Sequence, residues 1–291
     1  MPGGQTPDVV VAPDVRTGRP GEPGRSYRIG HLAAQLCRFA WIELQCCAFA
    51  IVVLAGIAAS TLLRGYWDAP ILRYDALLVF LVAVQVMFLV TKQETFRELL
   101  VICTFHAAGL ALEMFKVAVG SWEYPESGVA TVAGVPLYAG FMYAAVGSYI
   151  CQAFRRFDLG LTRYRMGVVG VLAVLAYLNF FTHHLIGDFR FLIMAAFVVA
   201  TAWMRVWFTV GRERYWMPLP LSFVLIGLFL WIAENIATYF GAWQYPGQET
   251  GWQLVHIGKF SSWILLVSLS FVLVTALIPR RHAESGALRG R

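Results

Sequence analysis

Charged residues are scarce in this chain of 291 residues: Asp, Glu, Lys and Arg make up 14% of it, whereas a soluble domain has about 25%. The five cysteines have no Cys-x-x-Cys or zinc-ligand spacing, so we expect small apolar fillers rather than disulfides or ligands. The sequence also lacks a phosphate-binding glycine loop, a dinucleotide fingerprint, a Gly-x-Ser-x-Gly elbow and a His-Glu-x-x-His helix. The enzyme classes that these motifs define are excluded, and no cofactor is predicted.

Hydrophobic residues make up 59% of the chain, and they form runs of about 20 residues that could cross a bilayer as helices. We predict an all-α, polytopic membrane bundle whose partner is the lipid bilayer. Residues 1–30 and 281–291 should be tails, the first disordered because it is rich in Pro and Gly, around one transmembrane domain, 31–280. The eight predicted spans are 38–62, 71–91, 96–119, 135–154, 165–183, 188–208, 217–240 and 258–278.

Basic residues are distributed unevenly between the two ends of these spans. Eighteen Lys and Arg residues lie on one face and four (Arg64, Arg73, Arg190, Lys259) on the other, while Lys116 is inside a span. The positive-inside rule then places both termini in the cytoplasm of a multi-pass protein of the cell membrane. The net charge of +6 therefore indicates a membrane side and not a nucleic-acid partner. The oligomeric state stays open.

A segment of thirteen residues occurs twice, 121 positions apart. Glu113-Met-Phe-Lys-Val-Ala-Val-Gly-Ser-Trp-Glu-Tyr-Pro is matched by Glu234-Asn-Ile-Ala-Thr-Tyr-Phe-Gly-Ala-Trp-Gln-Tyr-Pro, with five identical columns. Self-similarity at a fixed period reveals how a chain was assembled. Because four predicted spans separate the copies, both have the same orientation. We predict a parallel duplication of four plus four spans, 38–158 and 159–280, rather than an inverted repeat.

The first carboxylate of the repeat, Glu113, should lie about 10 Å below the outer end of its span. At helical spacing it shares a face with His106, Gly109, Lys116 and Gly120. An ionisable group at this depth is costly unless paired and is a functional candidate by default. We predict that Lys116 neutralises Glu113; the alternative to a functional site is a structural pair that fixes this span to a neighbour.

The second carboxylate, Glu234, has Ala237 and Thr238 at the positions that follow on its face, so its own helix offers no cation. Without a partner from another helix, burial favours the protonated acid. Such divergence can supply a charge stabiliser and a proton donor in one site. The predicted catalytic residues are Glu234, Glu113, His106 and Lys116. A plain interhelical hydrogen-bond donor is the alternative for Glu234.

Aromatic residues surround both carboxylates in the sequence. Interfacial anchoring explains each Gly-x-Trp-x-Tyr-Pro segment singly, but two copies beside matching acids favour the cover of a shared cavity. The predicted lining residues are Trp122, Tyr124, Trp243, Tyr245, Trp231 and Asn235. Whether His183, His184 and Asp188 bind a metal stays open; adjacent histidines point to different helix faces, and no metal site is predicted.

Several motifs carry a resemblance to a known family: Thr91-Lys-Gln-Glu-Thr, Leu112-Glu-Met-Phe-Lys, Gly120-Ser-Trp-Glu-Tyr-Pro-Glu and Gly134-Val-Pro-Leu-Tyr. Over nearly the whole chain after the tail, it resembles the YoaT-like family of bacterial integral membrane proteins, domain of unknown function 817. That resemblance implies a fold and a location. The intramembrane Glu, the Trp-x-Tyr segment and Gly-Val-Pro-Leu are also similar, over some 35 residues, to carotenoid hydratases and membrane lycopene cyclases. This second resemblance implies acid catalysis on isoprenoid chains.

Three functions remain open. The first is a membrane enzyme that acts on an apolar or isoprenoid-like lipid by acid catalysis at an intramembrane Glu, because aromatic faces such as Trp231 and Tyr239 could stabilise a carbocation. The second is a proton-coupled transporter of a small molecule, which paired carboxylates and a duplication equally suit. The third is a structural or partner-binding membrane subunit.

Overall fold

The computed structural model describes residues 25–63, 71–248 and 250–277. Within them the chain forms nine α-helices and five short strands. The helices are α1 Arg25–Cys46, α2 Ala48–Leu62, α3 Arg73–Val90, α4 Phe96–Ala118, α5 Ala139–Arg156, α6 Met166–Ile186, α7 Arg190–Thr201, α8 Leu219–Tyr239 and α9 Gly258–Leu277. The strands are β1 Thr131–Val132, β2 Val135–Pro136, β3 Gly160–Thr162, β4 Arg205–Val210 and β5 Glu213–Pro218.

Five of these helices (α3, α4, α6, α8 and α9) are long and apolar enough to cross a membrane, and a sixth span results if α1 and α2 count as one. The predicted class, a helical membrane protein, is therefore confirmed, but eight spans are not. The first predicted span is broken, since α1 and α2 meet at 63°. Helix α1 also begins at Arg25, inside the predicted disordered tail. Residues 1–24 and 278–291, and with them the predicted tail 281–291, lie outside the described residues.

The predicted span 188–208 is wrong. Its helix, α7, has 12 residues, about 18 Å against a hydrocarbon core of about 30 Å. The apolar run then continues as β4, which pairs with β5 from Arg205–Pro218 to Val210–Glu213 and, on its other edge, with β3. Aromatic and β-branched residues fit a hairpin closed at Gly211, whose φ is 64°.

The predicted span 135–154 begins later than expected, because Val135 and Pro136 form the second strand of a small hairpin and α5 starts at Ala139. Helix α5 is less apolar than a lipid-facing span because it is the centre of the bundle. It packs against α4, α2, α1 and α9. Glycines permit this: a Cβ on Gly140 would lie 2.7 Å from the His106 ring, and one on Gly147 would lie 2.9 Å from Phe105.

Helix directions give the bundle two chemically different ends. We call one of them the arginine end; there, Arg155 at the end of α5 lies 3.5 Å from Glu98 at the start of α4. The strands β3, β4 and β5 belong to the connections that follow α5 and α7 in the chain. Thr95 and Glu98 form a capping box there, at the start of α4. Glu94, just before it, accepts hydrogen bonds from Gln85 and Ser148. The carboxylate end holds Glu113 and Glu234.

Candidate functional site: two glutamates around one lysine

Helices α4 and α8 end in the same way at the carboxylate end. Gly120 and Gly241 follow them with φ values of 69° and 65°, in the left-handed region that favours glycine. After α4, the backbone N–H of Ser121 donates to Lys116 O and that of Gly120 donates to Val117 O. After α8, the backbone N–H of Ala242 donates to Ala237 O and that of Gly241 donates to Thr238 O. These are paired Schellman bonds. They turn the chain back so that each Trp-x-Tyr segment lies over its own glutamate.

The Glu113 carboxylate accepts three hydrogen bonds from aromatic side chains. Tyr143 OH donates to Oε1 at 2.6 Å, while Trp122 Nε1 and Tyr124 OH donate to Oε2 at 2.6 and 2.8 Å. The residue is only 3% exposed. Since an indole N–H can only donate, this arrangement satisfies a carboxylate buried away from water.

Glu234 has a closely similar environment. The hydroxyl of Tyr245 donates to Oε1, and Trp263 Nε1 donates to Oε2 at 2.7 Å. Each tyrosine–glutamate bond spans eleven residues in its own copy of the repeat. The tryptophan differs: the first copy uses its own Trp122, whereas the second uses Trp263 from α9. Trp243 is instead buried in the apolar core of the same end.

Lys259, in the first turn of α9, is a cation that acts on both glutamates. It influences Glu113 and Glu234 through electrostatics at longer range, and among the described residues no direct ion pair joins it to either one. Its ammonium lies 5.2 Å from the ring centre of Trp122 and 4.5 Å from that of Tyr245. These are cation–π distances, and they place the charge between aromatic rings from the two copies.

The predicted pairing of Glu113 with Lys116 is wrong. Lys116 Nζ donates to the carbonyl of Phe180 at 3.2 Å and lies 3.6 Å from the centre of that ring. Among the described residues no ion pair joins it to Glu113. The three-residue spacing directs both side chains toward neighbouring helices, but the neighbours differ: Tyr143 of α5 binds Glu113, and α6 binds Lys116. Glu234 has no cation on its own helix, and the influence of a cation comes from another helix instead, because Lys259 of α9 acts on it electrostatically.

The two copies contact each other through their loops. Trp122 packs edge to face on Tyr245, with ring centres 5.9 Å apart. The hydroxyl of Tyr138 also donates to Ala242 O. Burial raises the pKa of Tyr124 and Tyr245 well above its usual range, so both hydroxyls stay protonated and remain donors at physiological pH. The result is one continuous cluster rather than two separate sites.

The other predicted site residues lie outside this cluster. His106 packs edge to face on Phe141, with ring centres 4.7 Å apart, two turns below Glu113. Trp231 and Asn235 bind the loop before α9: Trp231 Nε1 donates to Val255 O, and Asn235 Oδ1 accepts from Val255 N. They line a groove of about 340 Å³ together with Ile232, Ile236, Tyr239, Phe240, Trp252 and Leu254. The α8 residues of this groove around Ile236 lie on the side of the helix that is opposite to Glu234.

Two of the residues considered as metal ligands, Asp188 and His183, have protein partners. Asp188 binds Arg190 at 2.5 Å and accepts from Asn179, and His183 Nδ1 contacts Phe180 O at 3.0 Å. In the part of the chain that the structure describes, no group of three or more His, Cys, Asp or Glu residues could hold a metal ion.

Sequence reasoning missed Tyr143, Lys259 and Trp263. One signal existed for Lys259, which is among the few basic residues of the Arg-poor face and follows a Trp-x-Tyr-Pro segment. No such signal existed for the other two, because the repeat does not keep them: the position equivalent to Tyr143 is Ile264, and the position equivalent to Trp263 is Met142.

This fold and site define a helical membrane protein with a buried pair of carboxylates. The chain belongs to the family described as "Protein of unknown function (DUF817)", which matches residues 35–271. It is 49% identical over 247 residues to "Uncharacterized protein YoaT" of Bacillus subtilis (strain 168), an alignment that covers 84% of this chain and 91% of that one. No solved structure matches the chain. The resemblance to the YoaT-like family is thereby confirmed.

Proposed function

We propose that this protein is a proton-coupled transporter of a small molecule, with Glu113, Glu234 and Lys259 as its proton-binding centre. The observation that carries the proposal is that two buried carboxylates lie within the electrostatic influence of one ammonium, which is held between Trp122 and Tyr245. When all three are ionised, one negative charge is left over in a place shielded from water. A proton balances it, and a buried charge that can be balanced in two ways is suited to coupling.

The surroundings of the centre support this assignment over a simple structural role. Lys116 and Arg190 both act on Lys259 electrostatically. Arg190 is itself paired with Asp188. Protonation of either glutamate would change which N–H and O–H groups can donate to it. The donors come from α5, α9 and both loops, so a change of charge would be felt by several elements at once.

A duplication of four plus four helices is part of the proposal. The matching Schellman ends and tyrosine–glutamate bonds support it. So do the helix contacts, since α4 packs on α5 as α8 packs on α9, and α2 on α5 as α6 on α9. The centre then lies where the halves meet. We also propose that the arginine end faces the cytoplasm. Cysteine labelling at Ser127 and Gln248 from the outside tests this, and labelling of either only from the cytoplasm contradicts it.

Acid catalysis on an isoprenoid-like lipid is a second candidate, favoured by the aromatic walls of the groove on α8, where Tyr239 and Trp252 meet edge to face at 5.4 Å. The geometry supports it less, because the α8 residues that line the groove around Ile236 face away from Glu234.

Everted membrane vesicles distinguish the two candidates. A pH gradient is followed with a fluorescent dye while a panel of small solutes is added. We expect at least one solute to dissipate the gradient in wild-type vesicles, with loss of this effect in Glu113→Gln and Glu234→Gln and retention in Lys116→Gln. If no solute acts, and deletion cells accumulate an isoprenoid precursor, the transporter is wrong and the enzyme replaces it.

A further inference from the structure

A second cavity lies at the arginine end, far from the glutamates. It has a volume of about 650 Å³ and is lined by Arg163, Tyr164, Arg165, Val168, Ala200, Trp203 and Met204. One wall is the start of α6 and the turn before it, and the other is the end of α7. The short α7 borders it: the helix ends at Thr201 and the chain turns into β4, which leaves a space beside the start of α6 on this side.

Two arginines supply the charge of this cavity. Arg163 and Arg165 are both exposed, and no ion pair joins either of them to another described residue. Arg163 has a φ of 59°, an uncommon conformation for a residue with a side chain and one that clusters at functional positions. Tyr164 between them contacts Thr275 of α9 at 3.2 Å, which fixes the turn and holds its flanking arginines at the cavity.

The rest of the cavity is apolar and continues along the bundle. Trp203 is 73% exposed at its rim, where an amphipathic ring suits a membrane–water interface. One turn beyond Val168 and Ala200, Val171 of α6 and Ala196 of α7 are also exposed. A track of exposed apolar side chains therefore leads from two cationic groups along the outer face of α6 and α7.

We infer that this cavity binds one anionic phospholipid, with the headgroup phosphate on Arg163 and Arg165 and an acyl chain along Val168, Ala200 and Trp203. Arginine forms paired hydrogen bonds with phosphate, and the apolar track lies where a hydrocarbon chain would continue. The lipid fills the space that α7 leaves beside α6. This role is independent of the proton-coupled function.

Native mass spectrometry of the purified full chain in a neutral detergent tests the assignment. Phosphatidylglycerol and phosphatidylcholine are added at equal concentration, and retained lipid is counted. We expect preferential retention of phosphatidylglycerol. The double variant R163Q/R165Q should lose it about thirtyfold, since each basic residue contributes roughly fivefold toward an anionic lipid. The matched control is R97Q/R212Q, which removes the same charge from exposed positions outside the cavity and should retain the lipid.

Two further arms identify the ligand. Ala200→Trp keeps both arginines but fills the apolar track, so it should also weaken retention; this variant decides the matter if the arginine variant fails to fold. An excess of inorganic phosphate should not displace the lipid. Displacement by phosphate, equal retention of phosphatidylcholine, or equal losses in R163Q/R165Q and R97Q/R212Q would each overturn the inference.

Discussion

Glu123 and Gln244 exchange two backbone hydrogen bonds, of 3.0 and 2.9 Å, as an isolated antiparallel bridge. They occupy the same column of the repeated segment, 121 positions apart. A reciprocal antiparallel pair between equivalent residues has local two-fold symmetry. The bridge therefore fixes the two loops over the glutamates and places both carboxylates around one point, which is where Lys259 enters.

Lys259→Gln should destabilise the protein more than Lys116→Gln. The first change leaves two buried carboxylates without their shared cation, and loss of one partner of a buried charge group typically costs about 3–5 kcal/mol. The second removes one hydrogen bond from an ammonium to a carbonyl and cation–π contacts with Phe180 and Phe115, about 2–4 kcal/mol together. Thermal melts in detergent compare the two variants. A Lys116 variant that melts lower than the Lys259 variant would restore the Glu113–Lys116 pair that the sequence predicts.

Trp263→Phe should cost more than Trp231→Phe. The indole of Trp263 donates to a carboxylate, a bond worth about 1.5–3 kcal/mol, whereas Trp231 donates to a neutral carbonyl, worth about 0.5–1.5 kcal/mol. Both changes keep an aromatic ring, so Trp231 is the matched control for packing. Melting temperatures measure the difference. Equal losses would mean that the bond to Glu234 carries no charge.

Gly120→Ala and Gly241→Ala should each destabilise by about 1–2 kcal/mol, because an alanine in the left-handed region is strained. No atom of a neighbour blocks a Cβ at Gly120, and the nearest at Gly241 is Arg73 Nη1 at 3.8 Å, so the cost is conformational at both. Gly167→Ala is the control, since that site in the first turn of α6 is open and alanine favours helix. Unequal losses at Gly120 and Gly241 would argue against equivalent helix ends.

Glu94, in the turn before α4, should make stability depend on pH. Burial raises the pKa of this carboxyl above its ordinary value of 4.5, although hydrogen bonds from Ser148 and Gln85 oppose the shift. The folded state therefore holds the proton more tightly, and the free energy of unfolding falls as pH rises from 4.5 through the raised pKa. Glu94→Gln should make the free energy of unfolding depend less on pH. Glu123→Gln is the control and should not do so, because Glu123 is exposed and the second copy of the repeat has glutamine at the equivalent position. Denaturation series at several pH values measure it, and an unchanged slope in Glu94→Gln contradicts the assignment.

The site could be predicted from the sequence only as far as the repeat extends. Glu113, Trp122, Tyr124, Glu234 and Tyr245 are in its copies, and all five lie in the cluster. The partners on other helices were not predictable in this way, because helix spacing does not say which neighbour a side chain meets; Lys116 is on the same helix face as Glu113 and still binds α6.

The fold was predictable as a class, but not in its number of spans. An apolar run predicts burial or contact with lipid, but it does not predict which secondary structure forms. The predicted span 188–208 therefore turned out to be a short helix followed by a strand. The Gly-Arg turn at Gly211 was the available signal for the hairpin. Helix α5 differs from the other predicted spans, because it is central and enclosed by protein. Its polar residues and glycines reflect contacts with neighbouring helices rather than contact with lipid.

Infrared difference spectroscopy between acid and neutral pH tests the central claim most directly, because the carbonyl stretch of a protonated glutamic acid is absent from a carboxylate. We expect a carboxylic-acid band that grows as the pH is lowered in the folded wild type and that is weaker when Glu113→Gln and Glu234→Gln are combined, with Glu94 and the other carboxyl groups giving the remainder. Glu123→Gln, a change at an exposed position, is the control for the loss of one carboxyl group outside the cluster. A band that does not change with pH, or a combined variant that loses no more of the band than Glu123→Gln does, would show that the pair around Lys259 does not bind the proton.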